Sequence, residues 1–312
     1  MGLEVASRWA AADRVFDIAD EATGIPVRRL CFQGPEDELV RTANLQPCVV
    51  ATSIATLAAA CEAAGISPDD GFDLTAFAAP PAFVAGHSVG EYSALAATGS
   101  LSVHDCLEVV AFRGRAMENA GSQRPGAMLA LVAGSPDDAG RLCSDIRGEI
   151  DGSYIDIANY NSSDQVVIAG DIESMDRASR KATDYGFRRA LPIPVSAAFH
   201  SAAMLPAAAE LQNRLLAVLL DEPSIPIVGN IGAEPLEAVG SIRHELSAQV
   251  ASPVRWSESV AYMASHGTKD FFEVGPGQVL SRLINRGEVE VQAVPIGDPT
   301  GVKLLADRLT GG

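Results

Sequence analysis

The sequence predicts an α/β protein in which a mostly parallel sheet flanked by helices is interrupted by a smaller inserted domain. Strand-like apolar segments alternate with helical segments on both sides of the chain's centre, which is the pattern of a parallel α/β sheet. Residues 126–194 instead show the order β-α-β-β-α-β. The length of 312 residues fits two domains of roughly 150 residues each. With 47% apolar and 20% charged residues, the composition excludes a disordered chain.

The N-terminal part of the chain is expected to be helical. Apolar side chains recur near the helical period in residues 1–20, which predicts an amphipathic helix. A second helix is predicted over 46–64, ending at Gly65. Because it contains Pro47 and its apolar run is too short to span a membrane, we interpret it as a buried core helix. Residues 66–81 carry glycine, aspartate and three prolines and are predicted to form a loop.

A candidate nucleophile lies in the turn that follows. Residues 82–85 form a short apolar run typical of a buried strand, and Gly86-His87-Ser88-Val89-Gly90 and the helical sequence EYSALAA come directly after it. This order is that of the GxSxG nucleophile elbow, whose glycines permit a sharp turn that exposes the serine hydroxyl. The N–H of Val89, at the start of the helix, would face a developing oxyanion. In a chain with 28 glycines the motif can arise by chance, but its context predicts that Ser88 is a nucleophile.

A serine nucleophile needs a general base, and His200 is the best candidate. It follows a proline-rich bend and precedes Ser201, a helix-capping residue, so it is expected in a loop at the sheet edge. His87 adjoins Ser88, so its side chain is expected to point away. The pattern alone leaves the catalytic and the non-catalytic interpretation of His200 equally open, and no acidic residue stands out as a third triad member. The five histidines of the chain are His87, His104, His200, His244 and His266.

Arg113 is a candidate anion-binding residue. It lies on a helix predicted over 103–120, after the elbow helix has ended at Gly99. The pattern alone favours a solvated helix arginine. The functional alternative is a guanidinium that binds an acyl carboxylate through two parallel hydrogen bonds.

The inserted segment is predicted to be ferredoxin-like, because that unit has the order β-α-β-β-α-β. We place it at residues 124–194, with a large domain formed by 1–123 and 195–312. The predicted strands of the insertion are 128–133, 154–160, 165–170 and 188–195, and its helices are 135–146 and 174–186. After it we predict helices at 202–220, 241–250, 256–266 and 278–286 and strands at 224–230 and 271–276.

Charge and cysteine usage exclude several classes of protein. With 23 basic and 40 acidic residues the net charge is −17, which argues against a non-specific nucleic-acid binder. The N-terminus lacks the basic start and apolar run of a secretory signal. The five cysteines are scattered without a CxxC pair, so we expect neither a zinc site nor a disulfide framework. We therefore expect a cytoplasmic protein, and we expect no membrane segment.

Six sequence blocks in order resemble one enzyme family. They are GHSVGEYSALAATG, VVAFRGRAM, NYNSSDQVVIAG, RALPIPVSAAFHSAAMLPA, SPVRWSESV and FFEVGPGQVL. The chain is similar in them to the malonyl-CoA:acyl carrier protein transacylases of fatty-acid synthesis and, less closely, to the acyltransferase domains of polyketide synthases. The resemblance covers roughly residues 45–285. It implies a hydrolase-like large domain with an inserted ferredoxin-like domain.

The resemblance also implies roles for the candidate residues. Ser88 would be acylated, with His200 as its base and the Val89 N–H as an oxyanion donor. Arg113 would pair with the free carboxylate of a malonyl group. Gln249 matches the family's active-site glutamine. The histidine of this family is oriented largely by backbone carbonyl groups and amides, which would explain why no acidic partner stands out.

Four further residues are implied near the cleft. Phe199 precedes His200, and in the polyketide relatives phenylalanine at this place goes with malonyl rather than methylmalonyl. His87 is a substrate-binding candidate beside the nucleophile. Asn159 and Asn161 match a family motif at a strand end, although asparagines that simply form the turn before Ser162 are equally compatible with the sequence.

The implied activity is transfer of malonyl from malonyl-CoA to the phosphopantetheine thiol of acyl carrier protein. No bound cofactor or metal is expected, and we expect a monomer. Because carrier proteins of this kind are acidic, a local basic surface is expected, for which Arg188, Arg189 and Lys181 are candidates beside the alternative of ordinary solvated charges. Rival functions are a polyketide-type acyltransferase, a serine hydrolase and a catalytically impaired relative.

One departure from the family pattern stands at the N-terminus. The family normally opens with a strand and a GQGSQ-type loop that gives a second oxyanion donor, and the sequence from Met1 matches the region after that loop. Either the start is placed too late, or another segment or chain supplies the loop, or activity is impaired.

Overall fold

The computed structural model describes residues 1–68 and 71–311, so Asp69 and Asp70 of the loop predicted at 66–81 lie outside the described residues. The α-helices are α1 Leu3–Ala6, α2 Ala10–Thr23, α3 Val27–Gln33, α4 Glu36–Leu39, α5 Thr42–Ala63, α6 Gly90–Ala97, α7 Val103–Gln123, α8 Pro136–Glu149, α9 Ile172–Lys181, α10 Leu205–Leu216, α11 Val239–Ala248, α12 Trp256–Ser265, α13 Val279–Arg286 and α14 Pro299–Leu309. The strands are β1 Val84–Ala85, β2 Ala127–Val132, β3 Ile155–Ser162, β4 Gln165–Gly170, β5 Arg189–Ile193, β6 Ile227–Val228, β7 Pro235–Leu236, β8 Asp270–Val274 and β9 Gln292–Ile296.

The strands of the larger part form two short sheets. β1 pairs in parallel with β6, which pairs antiparallel with β7. β8 pairs in parallel with β9. The mostly parallel α/β architecture predicted from the sequence is confirmed, with one antiparallel strand at an edge. The prediction gave no β7 or β9, because a two-residue strand and a strand that contains Pro295 carry little sequence signal.

Helix α5 forms the centre of the largest core. It packs against α2, α6, α7 and α14. It is long and apolar enough to cross a membrane by composition alone, but 72% of its most apolar window is buried inside the fold. The buried-helix interpretation therefore fits its position in the core.

The N-terminal helix predicted over residues 1–20 is divided. α1 ends at Ala6, and Trp9 adopts an extended conformation before α2 begins. The Trp9 side chain is 9% exposed and belongs to the core, so burial of the indole is accompanied by a break in the helix. Helical periodicity alone does not reveal such a break.

The inserted segment forms a separate four-stranded antiparallel sheet with the order β3-β4-β2-β5. Helices α8 and α9 contact each other and this sheet, and they share its core through side chains such as Leu142, Met175 and Ile168. This order is that of a ferredoxin-like unit, so that part of the predicted fold class is confirmed. The sheet spans residues 127–193, and the domain limits at 124 and 194 stay a prediction.

Candidate active site

Ser88 occupies a strained turn between β1 and α6. Its backbone φ angle is 51°, in the left-handed region that residues other than glycine rarely adopt. Gly86 makes the turn possible, because a Cβ atom there would lie 2.0 Å from the carbonyl carbon of Gly90. Val89 immediately precedes α6. The elbow predicted from the sequence is present in the backbone.

The Ser88 hydroxyl meets His200. Ser88 Oγ lies 2.8 Å from His200 Nε2. His200 Nδ1 lies 3.0 Å from the carbonyl oxygen of Gln249 and 3.2 Å from that of Ser252. Since these carbonyl groups only accept hydrogen bonds, the network assigns the ring proton to Nδ1 and leaves Nε2 free to accept the serine proton.

His200 is held as a neutral imidazole. Its side chain is buried, and desolvation together with the positive charge of Arg113 lowers its pKa to about 3. Its backbone φ angle of 59° is a second strained position at the site. The imidazole is therefore unprotonated at neutral pH, as a general base must be.

Arg113 reaches Ser88 from α7. Its Nη2 donates to Ser88 Oγ at 3.0 Å and to Gln249 Oε1 at 2.9 Å, and its Nη1 donates to Gln46 Oε1 at 2.5 Å. The residue is 1% exposed. Pattern alone favoured a solvated arginine here, and the structure instead buries it beside Ser88.

The positive charge of Arg113 has no carboxylate partner in the described part of the chain. The neighbours that accept its hydrogen bonds are uncharged, and its Nε atom is buried without a hydrogen-bond partner there. Burial lowers the pKa of the guanidinium because desolvation disfavours the charged form. Glu91 acts on this charge through space without contacting it, so the guanidinium has no direct carboxylate partner among the described residues, and an anionic ligand would supply one.

Gln249 joins three parts of the site. Its Oε1 accepts from Arg113, its Nε2 donates to the Ser88 carbonyl oxygen at 3.0 Å and to Glu91, and its own carbonyl accepts from His200. The side chain is completely buried. One glutamine thus fixes the positions of the arginine, the elbow and the histidine.

Sequence reasoning missed three buried residues of the site. Gln46 on α5 contacts Arg113. Asn230 spans the elbow, because its Oδ1 accepts from the Ser88 N–H and its Nδ2 donates to the Gly86 carbonyl, both at 2.7 Å. Glu91 accepts the Asn230 N–H at 2.7 Å. Of these three residues, only Asn230 could have been found from its place in the sequence. It follows β6 at the carboxyl end of a parallel strand, where active-site residues are often located.

The other predicted residues lie around the centre without touching the Ser88 hydroxyl. His87 Nε2 lies 3.0 Å from Asn161 Oδ1, and the His87 ring packs on Trp256. Asn159 is a buried residue of β3 that forms a bridge with residue 254. Phe199 is partly buried against the core cluster that contains Met117 and Leu211.

A cavity of about 810 Å³ reaches the elbow. It lies between β1 and β8 and is bounded by side chains of α5, α12, α13 and α14. Its lining includes His87, Val89 and Asn161. β1 and β8 are only half-buried.

Comparison with known proteins shows the family of this chain. The model of the acyl transferase domain family matches residues 3–298. The malonyl CoA-acyl carrier protein transacylase of Bacillus subtilis strain 168 is 35% identical over 309 residues, which cover 99% of this chain and 92% of that relative.

Solved structures are similar over nearly the whole chain. An acyl-carrier-protein S-malonyltransferase from Burkholderia pseudomallei 1710b has a TM-score of 0.88 and 33% identity and covers 98% of this chain and 95% of that one. The structure of a type II PKS acyl-carrier protein in complex with its malonyl-transacylase has a TM-score of 0.89 and 31% identity, with coverages of 99% and 93%. This chain belongs to the acyl transferase domain family.

Proposed function

We propose that the protein transfers a malonyl group from malonyl-CoA to the phosphopantetheine thiol of acyl carrier protein, through an ester on Ser88. The observation that carries the proposal is the buried guanidinium of Arg113, which lies 3.0 Å from the nucleophile and lacks a carboxylate partner among the described residues. An acyl group that bears its own carboxylate supplies that partner. The names of the relatives support the same substrate pair.

The first half-reaction acylates the serine. Ser88 Oγ attacks the thioester carbonyl carbon of malonyl-CoA while its proton moves to His200 Nε2. The Val89 N–H stabilises the developing oxyanion. The C–S bond then breaks, and the protonated His200 returns the proton to the CoA thiolate, leaving malonyl-Ser88.

The second half-reaction reverses these roles. His200 takes the proton of the phosphopantetheine thiol, the sulfur attacks the ester carbonyl carbon, and the C–O bond to Ser88 breaks. The proton passes from His200 to Ser88 Oγ. Arg113 holds the malonyl carboxylate throughout, so the ester is oriented toward the incoming thiol. These steps use only side-chain and backbone groups, so we propose that no metal or cofactor takes part.

We propose acyl carrier protein as the macromolecular partner of a monomeric, cytoplasmic enzyme. The complex of a relative with its carrier protein supports the partner. Of the candidate docking residues, Arg188 and Arg189 are exposed. The Lys181 ammonium instead forms an ion pair with Glu149, which reduces its availability. The two arginines are therefore the better docking candidates, while Phe199 as a determinant of malonyl preference stays a prediction.

The proposed nucleophile is tested by mass spectrometry of the protein after incubation with malonyl-CoA. The wild-type protein should gain one malonyl group that carrier protein then removes. Ser88→Ala should gain none, and His200→Ala should acylate slower by several orders of magnitude, because the general base is lost. A malonyl adduct on Ser88→Ala would refute the assignment, and an adduct that only water removes would identify a hydrolase.

Arg113→Ala should change selectivity rather than abolish chemistry. Removing the guanidinium takes away the partner of the malonyl carboxylate, so kcat/KM for malonyl-CoA should fall by about 10²-fold or more relative to that for acetyl-CoA. Steady-state kinetics with both esters measure the ratio. Arg115→Ala, on the same helix, is the matched control. An unchanged ratio in Arg113→Ala would exclude a carboxylate-binding role.

The dependence of the acylation rate on pH below neutrality should follow the protonation of the buried His200. Because the pKa of His200 is lowered to about 3, the acylation rate should stay constant from about pH 8 to about pH 5 and fall only as pH approaches 3. The unfolded chain binds this proton near pH 6.5, so the His200 contribution to stability is complete above that pH and is lost toward pH 3. The acylation rate is measured by rapid quench at each pH, and circular dichroism at the same pH checks that the protein stays folded. A rate that halves near pH 6.5 with the fold intact would contradict the neutral, desolvated state.

A further inference from the structure

Two buried carboxyl groups meet at a single backbone N–H below the elbow. Glu91 Oε1 and Glu245 Oε1 each lie 2.7 Å from the backbone nitrogen of Asn230. Glu91 comes from α6 and Glu245 from α11, and they are 1% and 4% exposed. No part of the mechanism described above uses this pair directly.

Nothing in the described part of the chain neutralises the pair by direct contact. No Lys, Arg or His there forms an ion pair with either carboxyl group. Two carboxylates that share a buried site cannot both be ionised without strong repulsion, so such pairs keep one proton between them. Burial and the neighbouring Glu245 raise the pKa of Glu91 well above its ordinary value.

The pair holds the residue that spans the elbow. The side chain of Asn230 bonds the Ser88 N–H and the Gly86 carbonyl, on either side of His87. Glu245 also accepts the N–H of Ile231 at 2.8 Å, so it fixes two successive backbone groups. The strained turn at Ser88 therefore depends on Asn230, and the position of Asn230 depends on the two carboxyl groups.

The same pair reaches the rest of the site through Gln249. The second oxygen of Glu91 accepts from Gln249 Nε2, and Gln249 contacts the Ser88 carbonyl, Arg113 and His200. A change in the separation of the two carboxyl groups therefore moves the elbow and the groups that serve it.

We propose that Glu91 and Glu245 share one proton and act together as positioning residues, so that loss of the shared proton at alkaline pH drives the carboxylates apart, loosens Asn230 and Gln249, and lowers the reactivity of Ser88. The acyl-transfer consequence rests on the proposed function. The reactivity of Ser88 toward a chemical probe does not rest on the proposed function, because that reactivity depends only on the elbow and on His200.

The pKa values of the other titratable interior groups, Arg113 excepted, are shifted away from the neutral range. The groups that matter are the buried titratable side chains at the elbow, on α6 and on the elements near α6 and α11. They are Cys48, Cys61, Cys106, Tyr92, Arg113, His87 and His200. Burial raises the pKa of Cys61 to about 12 and also raises those of Cys106 and Tyr92, and the hydrogen bond with Cys31 raises that of Cys48. Burial lowers the pKa of both histidines. The arginine stays charged throughout.

The decisive variant is Glu91→Gln. Its amide cannot ionise, so one member of the pair stays neutral at every pH, while its carbonyl oxygen can still accept from Gln249 and Glu245 alone accepts the Asn230 N–H. Glu273→Gln is the matched control, because Glu273 also accepts backbone N–H groups, those of Leu280 and Ser281, but at the start of α13.

The readout is the rate at which a fluorophosphonate probe labels Ser88 between about pH 7 and about pH 10, followed by mass spectrometry. Wild-type protein and Glu273→Gln should lose at least about fivefold in rate toward pH 10, whereas Glu91→Gln should keep its neutral-pH rate within about twofold across the range. A flat wild-type profile, or an equal alkaline loss in Glu91→Gln, would overturn the proposal.

A second measurement keeps the test informative if Glu91→Gln folds poorly. Glu245→Gln leaves a single ionisable carboxyl group, so the alkaline loss should shrink by at least about threefold there too. The acylation half-reaction with malonyl-CoA is then measured over the same pH range. If probe labelling follows the expected pattern and malonyl-CoA does not acylate Ser88, the proposed function fails while the positioning pair stands.

Discussion

The buried positive charge of Arg113 is the constraint on which the rest of the site depends. A guanidinium that is 1% exposed loses most of its hydration. In the described part of the chain, the oxygens that accept its hydrogen bonds belong only to amide and hydroxyl groups. Under the proposed function, the anion that compensates this charge arrives with the substrate. The same charge lies close to His200 and helps to keep that imidazole neutral. Under the proposed function, one positive charge thus serves both to select the acyl group and to keep the general base unprotonated.

Much of the fold and the central residues could be predicted because their signals are local. The strand, the GxSxG turn and the helix around Ser88 are contiguous in sequence, and the βαββαβ order of the insertion can be followed along the chain. Gln46, Asn230 and Glu91 could not be found in this way, because their roles come from contacts made across 67 to 144 residues of sequence. Arg113 shows the same limit, since its helical pattern favours solvent and only the tertiary structure buries it.

The inserted domain contributes to the orientation of the base. Residue Tyr160 of β3 donates its N–H to the carbonyl of Val254, and the Val254 N–H donates to the carbonyl of Ala158. These bonds anchor the segment that follows Ser252, whose carbonyl group accepts from His200. A carboxylate in this position would attract the ring proton more strongly, and two backbone carbonyls replace it with neutral dipoles. These carbonyl groups can orient the imidazole only if they are held rigidly. The antiparallel sheet of the insertion anchors the segment next to one of them. The insertion therefore helps to hold one of the two carbonyl groups that orient the histidine, which sequence reasoning left without an acidic partner.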